Sequence, residues 1–352
     1  AGEMGIAAAA PSPQVITAQH FDISKPLRDM SWKLPPVMQR MLAGKKATPA
    51  QIERLREKLI KAGVLPAPGS VREIQLYRKK PARSTPLQIL DSDVQRTIPR
   101  TGSLAPNTFT SPSIGFDGLG ASTGYNPVVY PPDPNASVGM NYVIEMVNFS
   151  FAVFKKSDGT MVLGPVSTNT PWSGFGGACE NANNGDVIVM YDQLAQRWVI
   201  SMFALPGPYY QCIAVSTTDD PTGSWYRYAF KISNSNINDY PKLGVWPNAY
   251  YYTTNLFNAS SGDFKGVVFA ALDRTQLIDG DPNAQMVRFN VPAGNGQLAF
   301  SVLPATLDGF TLPPVGAPGI FLNYVSPNLW SISYWALQMW RMHVDWQTPA
   351  NS

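Results

Sequence analysis

From about residue 110 onward, short apolar runs alternate with clusters of Gly, Pro, Asn and Asp. Tyr142–Asn148, Phe151–Lys155 and Met161–Leu163 form a meander that turns at Ser157-Asp158-Gly159. Val187–Tyr191, Arg197–Phe203, Cys212–Ser216 and Trp225–Phe230 give four more strands. Ala249–Thr254, Gly266–Asp273 and Met286–Val291 follow, then Gly319–Tyr324, Leu329–Tyr334 and Trp340–Trp346. Runs this short, bounded by turn formers and rich in Val, Ile and aromatics, predict β-strands rather than helices.

The groups recur about every 50 residues, each opening on an apolar strand and ending on a more polar one. A single four-stranded unit cannot bury both of its faces, so the pattern predicts radial repetition. The expected fold class is all-β, a β-propeller with about four blades over residues 111–352. A two-sheet sandwich is the competing architecture. Four blades with no evident closing strand suggest an incomplete ring. The expected partner is then a second polypeptide or a C-terminal fragment that completes it.

Residues 1–110 differ. They are Ala/Pro-rich at the start and predict a helix over 48–62. Thr48 is placed as N-cap, Pro49 at the first helical position and Gln51 at the capping-box site. Ile52, Leu55, Leu59 and Ile60 make its apolar stripe, and Gly63 ends it. A second short helix is predicted over 36–46, and 64–110 predict an extended arm.

Composition sharpens this division. The chain has 352 residues, of which 14% are charged, with 32 Pro, 28 Gly and 9 Trp. Few charges and many turn formers suit a turn-rich β protein. Residues 1–100 carry a net charge of +9 and the remainder −6, within a total of +3. The leader is therefore a basic arm suited to an acidic surface, or a solubilising segment. Its basic residues do not interleave with stacking aromatics, so nucleic acid is not an expected partner. No window reaches 18 consecutive apolar residues, so no transmembrane segment is expected.

Cys179 and Cys212 are the two cysteines. They allow either a disulfide or two buried thiols, and the extracellular character of the chain favours the disulfide.

Several segments resemble a group of secreted, mostly uncharacterised bacterial β-propeller proteins. They are Pro131-Pro132-Asp133-Pro134-Asn135 with Val138-Gly139 and Met146-Val147-Asn148; Gly185-Asp186, Tyr191-Asp192 and Arg197-Trp198; Asp220–Trp225; and Asp239–Pro247. The last is the most specific. Phe21–Ser24 with Pro26-Leu27-Arg28 is similar to the segment that precedes such domains. The resemblance spans about 115–350. It implies the propeller fold, a secreted or cell-surface location, and a ring that continues past this chain. It implies no reaction and transfers no catalytic residue.

Chemistry is sparse. His20 and His343 are the two histidines, and no nucleophile–base pairing, zinc cluster or phosphate loop stands out. Carboxylates remain. Asp133, Asp186, Asp192 and Asp239 fall at or near strand ends, which a propeller gathers around its channel. A glycosidase needs two such groups; ordinary turn chemistry needs none. Asp239, before Tyr240-Pro241, is the first to test, as structural group, calcium ligand or catalyst. Asp279, Asp281 and Asn283 sit at alternating positions that suit calcium or a plain turn; calcium is the one cofactor considered. The predicted function is a secreted binding, adhesion or assembly module, with a surface protein or glycan as ligand. The reading leans away from an enzyme; the alternative is a polysaccharide hydrolase or lyase using channel carboxylates.

Overall fold

In the computed structural model, residues 11–30, 114–119, 133–294, 296–309, 311–327 and 329–352 are described. The predicted helices at 36–46 and 48–62, and the arm at 64–110, lie outside them.

The chain is all-β, built of four antiparallel sheets stacked in chain order. Sheet I is a meander of β3 (Asn135–Val138), β4 (Tyr142–Val147), β5 (Ser150–Lys155) and β6 (Met161–Ser167). Sheet II runs through β7 (Ile188–Asp192), β8 (Arg197–Ala204), β9 (Tyr209–Ser216) and β10 (Trp225–Ser233). Sheet III comprises β11 (Asn236–Val245), β12 (Ala249–Asn258), β13 (Phe264–Asp273) and β14 (Gln285–Pro292). Sheet IV has β15 (Leu303–Pro304), β16 (Gly319–Val325) and β17 (Ala336–Met342).

Burial explains the strand sequences. Sheets II and III are covered on both faces, so their middle strands need no polar face. β8 and β12 are accordingly buried along almost their whole length, which suits the runs RWVISMFA and AYYYTTNLFN. Between sheets I and II lie Ile144, Phe151, Val153, Trp198, Ile200 and Trp225. Between II and III lie Ile213, Tyr228, Phe230, Tyr250, Tyr252 and Val268. Between III and IV lie Tyr251, Phe269, Val287, Phe321 and Met342. β17 is covered on one side only, and its exposure alternates residue by residue.

Two short strands of the basic leader join this body. β1 (Gln14–Thr17) pairs with β14, the last strand of sheet III. β2 (His20–Ile23) pairs with β10, the last strand of sheet II. The leader therefore covers the outer edges of two neighbouring sheets, which would otherwise offer unpaired backbone groups. Leu27 is fully buried in the core between sheets I and II. The four-residue strands are too short and too polar to stand out by alternation.

The Cys179–Cys212 disulfide is formed and joins α1 (Gly177–Asn181) to β9. A second helix, α2 (Arg274–Asp279), is capped by the Asp273 carboxylate and ended by Gly280 at φ 72°. No described helix is long and apolar enough to cross a membrane.

Several strand assignments differ from expectation, and β3 and β15 were not expected at all. Leu329–Tyr334 is irregular, and the last strand is Ala336–Met342 rather than Trp340–Trp346. His343 consequently lies just beyond β17 and is exposed. Asn236–Val245, which lacks a continuous apolar run, is a ten-residue strand.

Candidate functional site

The first strands of the sheets approach one another: β3 lies against β7, β7 against β11, and β11 against β15. These strands have an edge free of ladder partners, so their backbone groups need other acceptors. Side chains of β3 supply them. The Asn135 Oδ1 accepts from the Val189 amide at 2.7 Å, and the Ser137 Oγ accepts from the Tyr191 amide at 2.9 Å.

A pocket of about 550 Å³ opens where these strands meet. Its polar lining includes Asp133, Asn135, Asp186, Tyr240, Lys242 and Asp308. The Asp239 carboxyl does not line it but is hydrogen-bonded to that of Asp186. Three of the four predicted carboxylates thus gather here, from the starts of sheets I, II and III.

The backbone is bent to bring them together. Asp133, Asp186 and Tyr240 have φ of 38°, 47° and 53°. Asp tolerates this left-handed region moderately well; for the bulky Tyr it is an outlier, of the kind that concentrates at functional sites. Tyr240 sits where the register of β11 against β12 shifts between Asp239 and Lys242. That bulge turns its amide toward the pocket, where it donates to the Asp186 Oδ2 at 3.0 Å. Bulges re-aim side chains in this way near active sites.

Asn148, buried, couples two of the acids. Its amide nitrogen donates to the Asp133 Oδ2 at 2.6 Å, and its Oδ1 accepts from the Asp186 backbone at 2.9 Å. Gly185, at φ 101°, permits this approach, since a Cβ there would stand 2.8 Å from the Asn148 Oδ1.

Burial, with the neighbouring Asp239 and Asp133 charges, pushes the Asp186 carboxyl up to about 7. Burial also raises Asp239. Asp186 therefore holds a proton that it donates to Asp239, which relieves the repulsion between two close carboxylates. Lys242 is lowered by burial, against the pull of the same acids. Its ammonium stands 3.5 Å from the centre of the Tyr240 ring and donates to the Pro241 carbonyl at 2.9 Å. Tyr240 nonetheless remains 43% exposed, a ring at the mouth of a polar pocket.

Such a site offers carboxylate acceptors, one proton donor near neutral pH and an aromatic platform. Two-carboxylate glycoside hydrolysis needs a separation of roughly 5–9.5 Å between its acids. Asp186 and Asp239, hydrogen-bonded directly, act instead as one proton-sharing unit.

The fourth predicted carboxylate, Asp192, is elsewhere. It is fully buried, accepts from the Leu194 and Ala195 amides in its hairpin, and pairs with Arg274. Asp279, Asp281 and Asn283 do not line the pocket either. Asp281 accepts from the Asn283 amide in the turn after α2. Among the described residues, no group of three or more His, Cys, Asp or Glu is placed to hold a metal ion. Lys242, Asn148 and the bulge at Tyr240 were not predicted as site features. The signal for Tyr240 was the Asp-Tyr-Pro corner itself, where Pro cannot donate to a ladder.

The chain matches no protein-family model and no curated protein.

Proposed function

We propose that the four sheets are successive blades of an extracellular β-propeller, and that the pocket among their first strands binds a glycan. The stacking of the sheets in chain order, with first strands adjacent, supports the blade reading. The disulfide supports an oxidising compartment outside the cytosol. The observation that carries the ligand class is Tyr240, held half-exposed at the bulge beside Asp186. An aromatic face packs against a sugar ring, while neighbouring carboxylates accept from its hydroxyl groups.

A glycan array, followed by calorimetric titration of any hit, tests this reading. Tyr240→Ala and Asp186→Asn are each expected to weaken binding about tenfold or more. Array-wide silence, or wild-type affinity in both variants, removes it.

A second reading is favoured by the protonated Asp186, whose pKa near neutrality suits a general acid. Here the pocket would cleave a polysaccharide rather than only hold it. Product analysis after incubation with the bound glycan separates the two. Products that Asp186→Asn abolishes mean hydrolysis or elimination; intact glycan means binding.

A further inference from the structure

Among the described residues, sheet IV is covered on one face and bare on the other. The covered face puts Phe321 and Met342 into the core shared with sheet III. The bare face carries the alternate residues. Register places Leu303, Leu322 and Met339 in one row across its three strands, and Tyr324 beside Leu337 in the next. All five are exposed, Leu337 to 75% and Met339 to 55%. Trp335, 51% exposed, packs on Tyr324 with ring centres 5.5 Å apart. A contiguous apolar patch of this kind on a sheet marks an interaction surface.

We propose that this face is a self-association surface whose occupant is the same face of a second copy of this chain. Three observations select that occupant. The first is continuity: sheets I to IV already pack face to face, and the bare side of sheet IV has the same aliphatic and aromatic makeup as those interfaces. Its natural complement is another twisted antiparallel sheet.

The second is that, among the described residues, only one end of the stack is bare in this way. The far face of sheet I is partly covered by residues 114–119 of the same chain. Phe116 packs on Phe154 at 5.3 Å, Leu119 joins Val147 and Ala152, and the Leu119 amide donates to Glu145 at 2.6 Å. A blade inserted between sheets IV and I needs both end faces. A two-fold pair needs only sheet IV, once from each copy.

The third is polarity along the face. Arg341 stands opposite Ile320 at one end, and Tyr324 with Trp335 at the other. A two-fold axis lying in the interface and running across the strands at their middle brings the Arg341 end of each copy to the aromatic end of its partner. A guanidinium over a Tyr or Trp ring is attractive. The face is thereby complementary to itself, with Leu322, Leu337 and Met339 at the centre.

Sedimentation velocity of the full chain over a concentration series is the test. A reversible dimer is expected. Leu337→Lys with Met339→Lys makes the protein monomeric, and Arg341→Glu weakens the dimer about tenfold or more. Val138→Lys, at an exposed apolar position on sheet I, leaves it unchanged. Should the double variant fail to fold, Leu337→Ser decides, because its side chain contributes little to the core. A monomer at every concentration overturns the proposal. So does a dimer indifferent to the sheet IV variants, or one equally sensitive to Val138→Lys. Glycan binding by the pocket is independent of this surface and is retained in the monomeric variant.

Discussion

Asp22 and Arg227 lie 205 positions apart in the chain, and their side chains meet in a two-pronged ion pair, with both N–O distances at 2.6 Å. Arg227 is almost fully buried and also donates to the carbonyls of Pro171 and Ser173. Asp22 belongs to the leader strand β2, so the pair fastens that strand to sheet II. Asp22→Ala leaves the guanidinium short of its counter-ion. Because Asp22 is itself about a third exposed, the expected loss is about 1–3 kcal/mol, read from urea unfolding. An unchanged midpoint would show that β2 is held by its backbone pairing alone.

The Asp192–Arg274 pair links sheet II to α2 with distances of 2.7 and 3.1 Å, and the Tyr250 hydroxyl donates to the same carboxylate at 2.7 Å. Asp192 has no exposure at all. Asp192→Ala strands a buried cation and a buried hydroxyl, and is expected to cost about 3–5 kcal/mol. Ligand binding by the folded fraction stays at the wild-type level. That separates Asp192 from the pocket acids, and loss of affinity in the folded variant would place it in the site after all.

Asp186 should impose a pH dependence on stability. Its carboxyl ionises at 3.8 in the reference state and at about 7 when folded. Between those values the folded chain holds a proton that the unfolded chain has released. This group's contribution is therefore fully present below about pH 4 and fades as pH rises through 7. Asp186→Asn keeps a donor toward Asp239 and has no charge to bury. Its melting temperature is expected to equal that of the wild type near pH 4. At pH 8 it should exceed it, by on the order of 1–4 kcal/mol in stability. Parallel melting curves for both proteins across this range would mean that Asp186 is ionised when folded.

Reduction of Cys179–Cys212 opens a loop of 33 positions. Chain entropy assigns such a loop about 4 kcal/mol. A reducing agent is expected to lower the melting temperature, and Cys179→Ala with Cys212→Ala to do the same without reductant. If reduction leaves the melting curve in place, packing around the buried sulfurs carries that region unaided.

Most of sheets I to III was legible because two-sided burial writes long apolar runs into the strands. Val187–Tyr191 lies one residue ahead of β7, and Arg197–Phe203 stops one residue short of the end of β8. β11 was not legible. Asn238 is buried, but its side-chain nitrogen donates to the Gln211 side chain and to the Tyr210 carbonyl, so a polar residue occupies a core position. Pro241 and the bulge then interrupt the alternation. The same interruption builds the pocket, so the strand hardest to recognise is the one that brings Asp239 to Asp186. The end of β17 was misplaced for a different reason. Trp346 is apolar yet lies in a loop, donating to the Asn248 carbonyl at 2.9 Å and packing on the core of sheets III and IV. The meeting of Asp133 and Asp186 could be anticipated from their positions just before strands, whereas Asp239 lies inside β11 and reaches them through the bulge, and Asp192, at the end of β7, went into a buried ion pair.

The pairing of β1 with β14 and of β2 with β10 also bears on biosynthesis. β1 is made long before its partner, since β14 ends at Pro292. At ordinary elongation rates that interval is roughly 10–60 s. β2 can pair once β10 ends at Ser233, whereas β1 has no sheet to join until β14 is made. The edges of sheets II and III are thus closed by strands made well before them, and whatever holds Gln14–Ile23 until then governs how much of the chain matures correctly.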